Sequence, residues 1–284
     1  MYVLSRKRLV SMVTDMIIKA NTRLDDSVIC RLEKARNAER NPLAVNVLDN
    51  ILENQAIARE TNIPLCQDTG LAVFFLKVGR DLSFSYSLDE AINEAVATAY
   101  KNGYLRKSVV RHPLERVNTT DNTPAFIYRE ETKGHDLDII FAPKGGGSEN
   151  MSRLAMLTPA EGRQGVIDFV LETVRLAGGK ACPPLIVGVG IGGNFEMSAL
   201  LAKKAIMRPL DDEAANPCDK ELETELKDKI NASGIGPMAL GGKTTCLAVK
   251  VDSFPCHIAS LPVAVNLQCH SARKAHIVIE GEEK

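Results

Sequence analysis

The chain has 284 residues, 45% of them hydrophobic, and its 35 Lys and Arg against 36 Asp and Glu leave a formal net charge of −1. That length can bury a substantial core, and the balanced charge excludes partnership by bulk electrostatics with nucleic acid or an acidic membrane surface. Seven widely spaced cysteines, an odd number, do not make a disulfide framework and point to a reducing, cytoplasmic compartment.

The opening stretch carries Arg6, Lys7, Arg8 and Asp15 among its apolar positions, which excludes a signal peptide or a membrane span. Leu9, Val13, Met16 and Ile17 share one helical face, and Asn41-Pro42 reads as the cap and first residue of a helix turning Val47, Leu48, Ile51 and Leu52 inward. The apolar run 71–78 has the length of a buried strand. Ser87-Leu88-Asp89-Glu90 is a capping box, and Gly103 a stop for the helix it opens. Runs 124–129 and 137–141 are expected to pair as a hairpin around Lys133-Gly134. A helix from about Glu161 ends at Gly178-Gly179; a short strand spans 185–189, and a helix follows to about Ile206. Residues 220–231 read as a charged, exposed helix, and strands near 244–251, 258–265 and 276–279 close the chain. The expected fold is α/β, or α+β: a helical N-terminal region followed by mixed sheets flanked by helices, in one domain spanning residues 1–284.

Polar or glycine-rich clusters interrupt this scaffold at strand ends and turns, where scaffolds usually carry function. Gly188-Val189-Gly190-Ile191-Gly192-Gly193 matches the dinucleotide fingerprint literally. That fingerprint also needs a second parallel strand bearing an acidic residue about 20 positions on, and here Asp211 falls in a loop. An NAD(P)-binding module is therefore the alternative from another functional class. Gly242-Lys243-Thr244 resembles the end of a phosphate-binding loop, but Pro237 stands where the first glycine belongs; it reads as a turn. Gly145-Gly146-Gly147, followed by Ser148-Glu149-Asn150, suits an anion cradle or a close backbone approach to a ligand. Cys30, Cys218 and Cys246 lie outside any motif and read as structural. Cys66, Cys182 and Cys269 each sit at an element boundary, beside proline or among polar neighbours. They are either three buried thiols or three thiolates from distant loops, a set that could hold an iron–sulfur cluster with one iron lacking a protein ligand.

Four motifs, PLCQDTG (64–70), APKGGGSENMS (142–152), CPPLIVGVGIGG (182–193) and HIASLPVAVNLQC (257–269), lie in order along the chain. Together they resemble the class I, iron–sulfur-dependent fumarate hydratases, and the chain resembles their α subunit, equivalent to the N-terminal domain of single-chain members. The related L-tartrate dehydratase α subunits share the cysteine layout, while Ser148 followed by Glu149-Asn150 resembles the fumarase version. The resemblance implies a hydro-lyase that reversibly hydrates fumarate to L-malate. It implies a [4Fe–4S] cluster at converging loop ends, held by Cys66, Cys182 and Cys269, with an open iron acting as Lewis acid. It makes Asp68 and His257 catalytic, Gln67 and Arg106 substrate contacts, and Gly146 and Gly147 the backbone that approaches the substrate. His112, His270, Lys144 and Arg273 are weaker charge candidates.

The chemistry is coherent. Dehydrating malate expels hydroxide, a poor leaving group, so a Lewis acid on that oxygen and an acid to protonate it are both needed. An arginine fork matches a carboxylate bidentately. No base for C3 can be placed in the sequence. Single-chain members carry that base on a second, swivelling domain, so the resemblance implies a separate β subunit that completes the active site, in an α2β2 assembly.

Overall fold

A computed structural model describes residues 2–284. In chain order its elements are β1 (Tyr2–Val3), α1 (Arg6–Thr22), α2 (Asp26–Ala38), α3 (Pro42–Thr61), β2 (Leu71–Gly79), β3 (Leu82–Ser83), α4 (Leu88–Asn102), β4 (Phe126–Thr132), β5 (Asp136–Lys144), α5 (Gly146–Glu149), β6 (Arg153–Leu157), α6 (Gly162–Ala177), β7 (Leu185–Gly192), α7 (Phe195–Ala205), α8 (Pro217–Ala232), β8 (Cys246–Phe254), β9 (Leu261–Gln268), β10 (Ala275–Glu280) and β11 (Glu282–Glu283). This is the expected α/β fold with mixed sheets. The chain divides into two compact units: one holds residues up to Leu24, Gln55–Gly146 and Arg273–Lys284, the other Asp25–Asn54 and Gly147–Ala272. Among the described residues no helix is long and apolar enough to cross a membrane.

In the first unit α1 and α4 bury their apolar stripes against a four-stranded sheet of order β10-β5-β2-β4. Ser5 caps α1 by accepting from the Arg8 N–H, and Ser87 caps α4 by accepting from the Glu90 N–H, each at 3.3 Å. Leu9, Val13, Met16 and Ile17 are all buried, as their spacing requires. The expected hairpin does not form. β2 lies between β4 and β5, parallel to the first and antiparallel to the second. Composition gives the reason. The Leu71–Gly79 run, LAVFFLKVG, is largely buried and takes the centre, whereas Phe126–Thr132 exposes Arg129, Glu130 and Glu131, which only an edge strand tolerates.

The second unit has a sheet of order β6-β9-β7-β8, with β7 parallel to β8 and antiparallel to β9. Alternation along β7 sorts its two faces. Val187 and Val189 enter a core shared with α6 and α8. Gly188 and Gly190 face α7, where an added Cβ would lie 2.2 Å from the Ala202 carbonyl oxygen and 2.1 Å from that of Ser198. Gly188 and Gly190 of the dinucleotide-like motif therefore lie within the strand and let a helix backbone approach it. α8 is not the wholly exposed helix expected, because Leu222, Leu226 and Ile230 are buried.

Two polar devices in this unit had no clear signal in the sequence. Buried Glu39 accepts backbone N–H bonds from Arg40 (2.8 Å), Asn41 (3.0 Å) and Lys243 (2.6 Å), so the Gly-Lys-Thr turn cradles the chain's own carboxylate. Burial works against the charged form of Glu39, but these bonds outweigh it and hold its pKa below the usual value. Arg208 donates to Asp212, Glu223 and Asp252, while Lys250 donates to Asp212 at 2.6 Å.

Candidate functional site

The first unit positions Cys66, Gln67, Asp68 and Arg106 around one loop, residues 65–70. Cys66 and Asp68 are half-buried and Gln67 is exposed. The Asp68 carboxylate is fixed by two backbone donors, Gly70 N–H to Oδ1 at 3.0 Å and Gly146 N–H to Oδ2 at 2.8 Å. The PLCQDTG and glycine-loop motifs thus meet at one side chain. The Gly146 amide, expected to face a ligand, is donated to Asp68. Gly70 has φ +71°, and a Cβ there would lie 2.7 Å from the Lys144 backbone, so only glycine fits the turn.

Thr69 Oγ1 donates to the Arg106 carbonyl at 2.8 Å, which fastens Arg106 beside this loop and leaves its side chain exposed. Below the loop, Tyr100 is fully buried and its hydroxyl lies 2.6 Å from the Thr69 carbonyl. Burial pushes the Tyr100 pKa well above its ordinary value, so the phenol remains a donor. Asn122, also fully buried, accepts from the Ser108 N–H at 2.6 Å and donates to the Gly70 carbonyl at 3.2 Å. Sequence reasoning named neither residue as a support of the loop.

The second unit brings Cys182 and Cys269 to one end of its sheet. Cys182 lies three residues before β7 and Cys269 directly after β9, and Ile186 pairs with Gln268. His270 donates its backbone N–H to the Cys182 carbonyl at 3.2 Å, and its Nδ1 lies 3.0 Å from the same oxygen. Cys182 adopts a left-handed conformation, φ 54° and ψ 65°, an uncommon backbone for a residue with a side chain. In this unit Gly147 passes close to the Lys180 carbonyl, 3.2 Å from the position of a Cβ.

His257 lies elsewhere. It belongs to the turn between β8 and β9, where its Nδ1 accepts from the Ala259 N–H at 3.1 Å. The eight residues of β9 separate it from Cys269, and at ~3.3 Å per residue that strand alone is roughly 23 Å long. His112 is exposed on its loop, and its Nδ1 accepts from the Leu114 N–H at 3.3 Å. Lys144 is buried, 1% exposed.

All seven cysteines are free thiols. Cys66, Cys182 and Cys269 are half-buried at loop ends, and thiolate is the ligand that iron–sulfur centres take. Burial pushes the Cys246 thiol up to about 12, which removes it as a thiolate donor near neutral pH. Among the described residues no three His, Cys, Asp or Glu side chains are already grouped as a metal shell.

Residues 10–278 match the family model of fumarate hydratase (Fumerase). A protein of Methanocaldococcus jannaschii named "Putative L(+)-tartrate dehydratase subunit alpha" is 43% identical over 270 residues, covering 93% of this chain and 94% of that protein. The L(+)-tartrate dehydratase subunit alpha of Escherichia coli O157:H7 is 32% identical over 279 residues, covering 97% and 92%, and that of Escherichia coli K12 matches to the same extent. The chain belongs to the fumarate hydratase family.

Proposed function

We propose that this chain is the α subunit of a hydro-lyase that interconverts fumarate and L-malate. The observation that carries the reading is the double anchoring of the Asp68 carboxylate, two residues after Cys66, by the amides of Gly70 and Gly146. Two distant motifs converge to fix the orientation of one acid, which is what proton transfer to a departing oxygen requires.

Cys66, Cys182 and Cys269 are the residues that would hold a [4Fe–4S] cluster. When bound, that cluster supplies a Lewis acid for the oxygen on C2. Arg106, with its side chain exposed beside the loop, grips a substrate carboxylate through its fork. Gln67 contacts the substrate from the loop itself, and Gly146 and Gly147 supply the close backbone surface. Asp68 delivers the proton to the departing hydroxyl, with His257 as its partner in transfer. Because β9 separates His257 from Cys269, His257 serves this site from a second copy of the chain. The same end of the sheet exposes Phe195, Phe254 and Ile258, an apolar surface suited to such a contact. A separate β subunit supplies the C3 base, and a two-fold α2β2 assembly accommodates both requirements.

Dehydration of L-tartrate is the second reading, favoured by the names of relatives at 43% and 32% identity. The test is an anaerobic assay of the reconstituted chain with the β subunit of the same organism against fumarate, malate and tartrate. A kcat/KM for malate at least tenfold above that for tartrate is expected. The reverse ratio would transfer the assignment to tartrate, and no turnover of any of the three would sink the hydro-lyase reading.

A further inference from the structure

Arg273 is a buried guanidinium without a carboxylate partner among the described residues. It is 2% exposed. Its Nη2 donates to the Asp68 carbonyl at 2.8 Å and its Nη1 to the Asn21 side-chain oxygen at 3.2 Å, while its buried Nε has no partner. Burying an unpaired cation with an unused donor costs stability, so this arrangement calls for a role beyond packing. The Nε is not turned to any acceptor, which argues that the two Nη contacts set the position of the side chain.

Those contacts are specific to one loop. Asn21 is fully buried on α1, where its side-chain N–H₂ donates to the Ile17 carbonyl at 3.0 Å. The Asn21 backbone carbonyl accepts the Leu65 N–H at 2.9 Å. One residue therefore holds the chain immediately before Cys66, and Arg273, bound to that residue, holds it at Asp68. Between the two anchors lie only Cys66 and Gln67. From Asp68 the line continues, because its carboxylate takes the Gly70 and Gly146 amides.

We infer that Arg273, with Asn21, is the positioning residue of the Cys66–Asp68 loop. Arg273 sets the orientation of the Asp68 carboxylate through the Asp68 carbonyl and touches no reacting atom itself. The inference rests on the reading of Asp68 as a proton-transfer group, but the clamp can be measured without any reaction.

The test uses Arg273→Met, which keeps the volume and removes charge and donors, and Arg273→Lys, which keeps the charge and loses the fork. Amide hydrogen exchange is read by mass spectrometry or NMR on the full chain, with no substrate or cluster present. The Gly70 and Gly146 amides should exchange at least tenfold faster in Arg273→Met, the amides within β2 and α4 should hold their rates, and Arg273→Lys should fall between. In the holoenzyme, kcat should drop at least tenfold with KM within threefold. Unchanged Gly70 and Gly146 exchange in a folded Arg273→Met protein would overturn the inference. So would a uniform acceleration across β2 and α4, which marks a general packing role. If Arg273→Met does not fold, Arg273→Lys alone decides on the same two amides. Selective loss of protection in a chain that never turns over a dicarboxylate would uphold the clamp and remove the proposed function.

Discussion

Asp68 shows how few bonds are needed to aim a side chain. Two backbone amides hold its carboxylate and one guanidinium holds its carbonyl. Replacing Asp68 by Asn keeps the shape but turns one of the two acceptor oxygens into a donor that faces one of the two amides, and it removes the transferable proton. Proton-transfer groups contribute about 10²–10⁴-fold, so kcat of the Asp68→Asn holoenzyme should fall by at least that lower bound while KM changes little. A large rise in KM at unchanged kcat would reassign Asp68 to substrate binding. Arg106→Lys tests the fork in the same assay: charge is retained, bidentate geometry is lost, and kcat/KM should drop. A Lys variant equal to the parent would make Arg106 a surface residue held by its backbone alone. Among the cysteines, Ser variants at 66, 182 and 269 should lose iron and sulfide after anaerobic reconstitution, whereas Cys30→Ser should not. The candidate site residues could be named in the sequence because they cluster in short motifs. Arg273, Tyr100 and Asn122 were harder to read, because each acts through backbone carbonyls or amides far away in sequence, and such a bond leaves no local pattern.

At the scale of elements, periodicity revealed most helices and strands but not their neighbours. The run 71–78 was recognisable as a strand, yet its place between β4 and β5 shows only in the pairing, where it is more buried than β4. β9 was also expected, and its length decides the place of His257. If His257 serves a neighbouring copy, mixing His257→Ala with Asp68→Asn chains, each inactive with the β subunit, should restore partial activity, since one hybrid site carries both native residues. No recovery above either variant alone would contradict that arrangement. Gly190→Ala should be costly, because its Cβ would meet the Ser198 carbonyl oxygen at 2.1 Å; overpacking of this kind costs about 1–3 kcal/mol, readable by urea unfolding. Glu39 carries a pH signature. Its folded-state pKa is depressed, so its contribution is complete above the ordinary glutamate value and is lost as pH falls through the folded value. Glu39→Gln should cost about 1–3 kcal/mol at neutral pH, and the gap to the parent should close in acid. A gap that stays constant from neutral to strongly acidic pH would show that the cradle does not depend on charge.

At the scale of the whole molecule, the chain as proposed carries half an active site. Three candidate cysteine donors, an anchored acid and an arginine beside it can be named along the sequence, and no base for C3 can be placed beside them. In the proposed function a partner brings that base, and the relatives named as alpha subunits imply a partner subunit in their own assemblies. The sequence disclosed this division through what the motifs supply; the two compact units of the chain were not legible, since no linker or shift in composition marks where the backbone passes between them. The most direct measurement is a titration. The chain is purified alone, reconstituted anaerobically and assayed for malate formed from fumarate by mass spectrometry, then the β subunit is added stepwise while light scattering follows the mass. No turnover is expected without β, and activity should rise with β to saturation as the complex forms. Robust turnover by the chain alone, unchanged on adding β, would contradict the proposal.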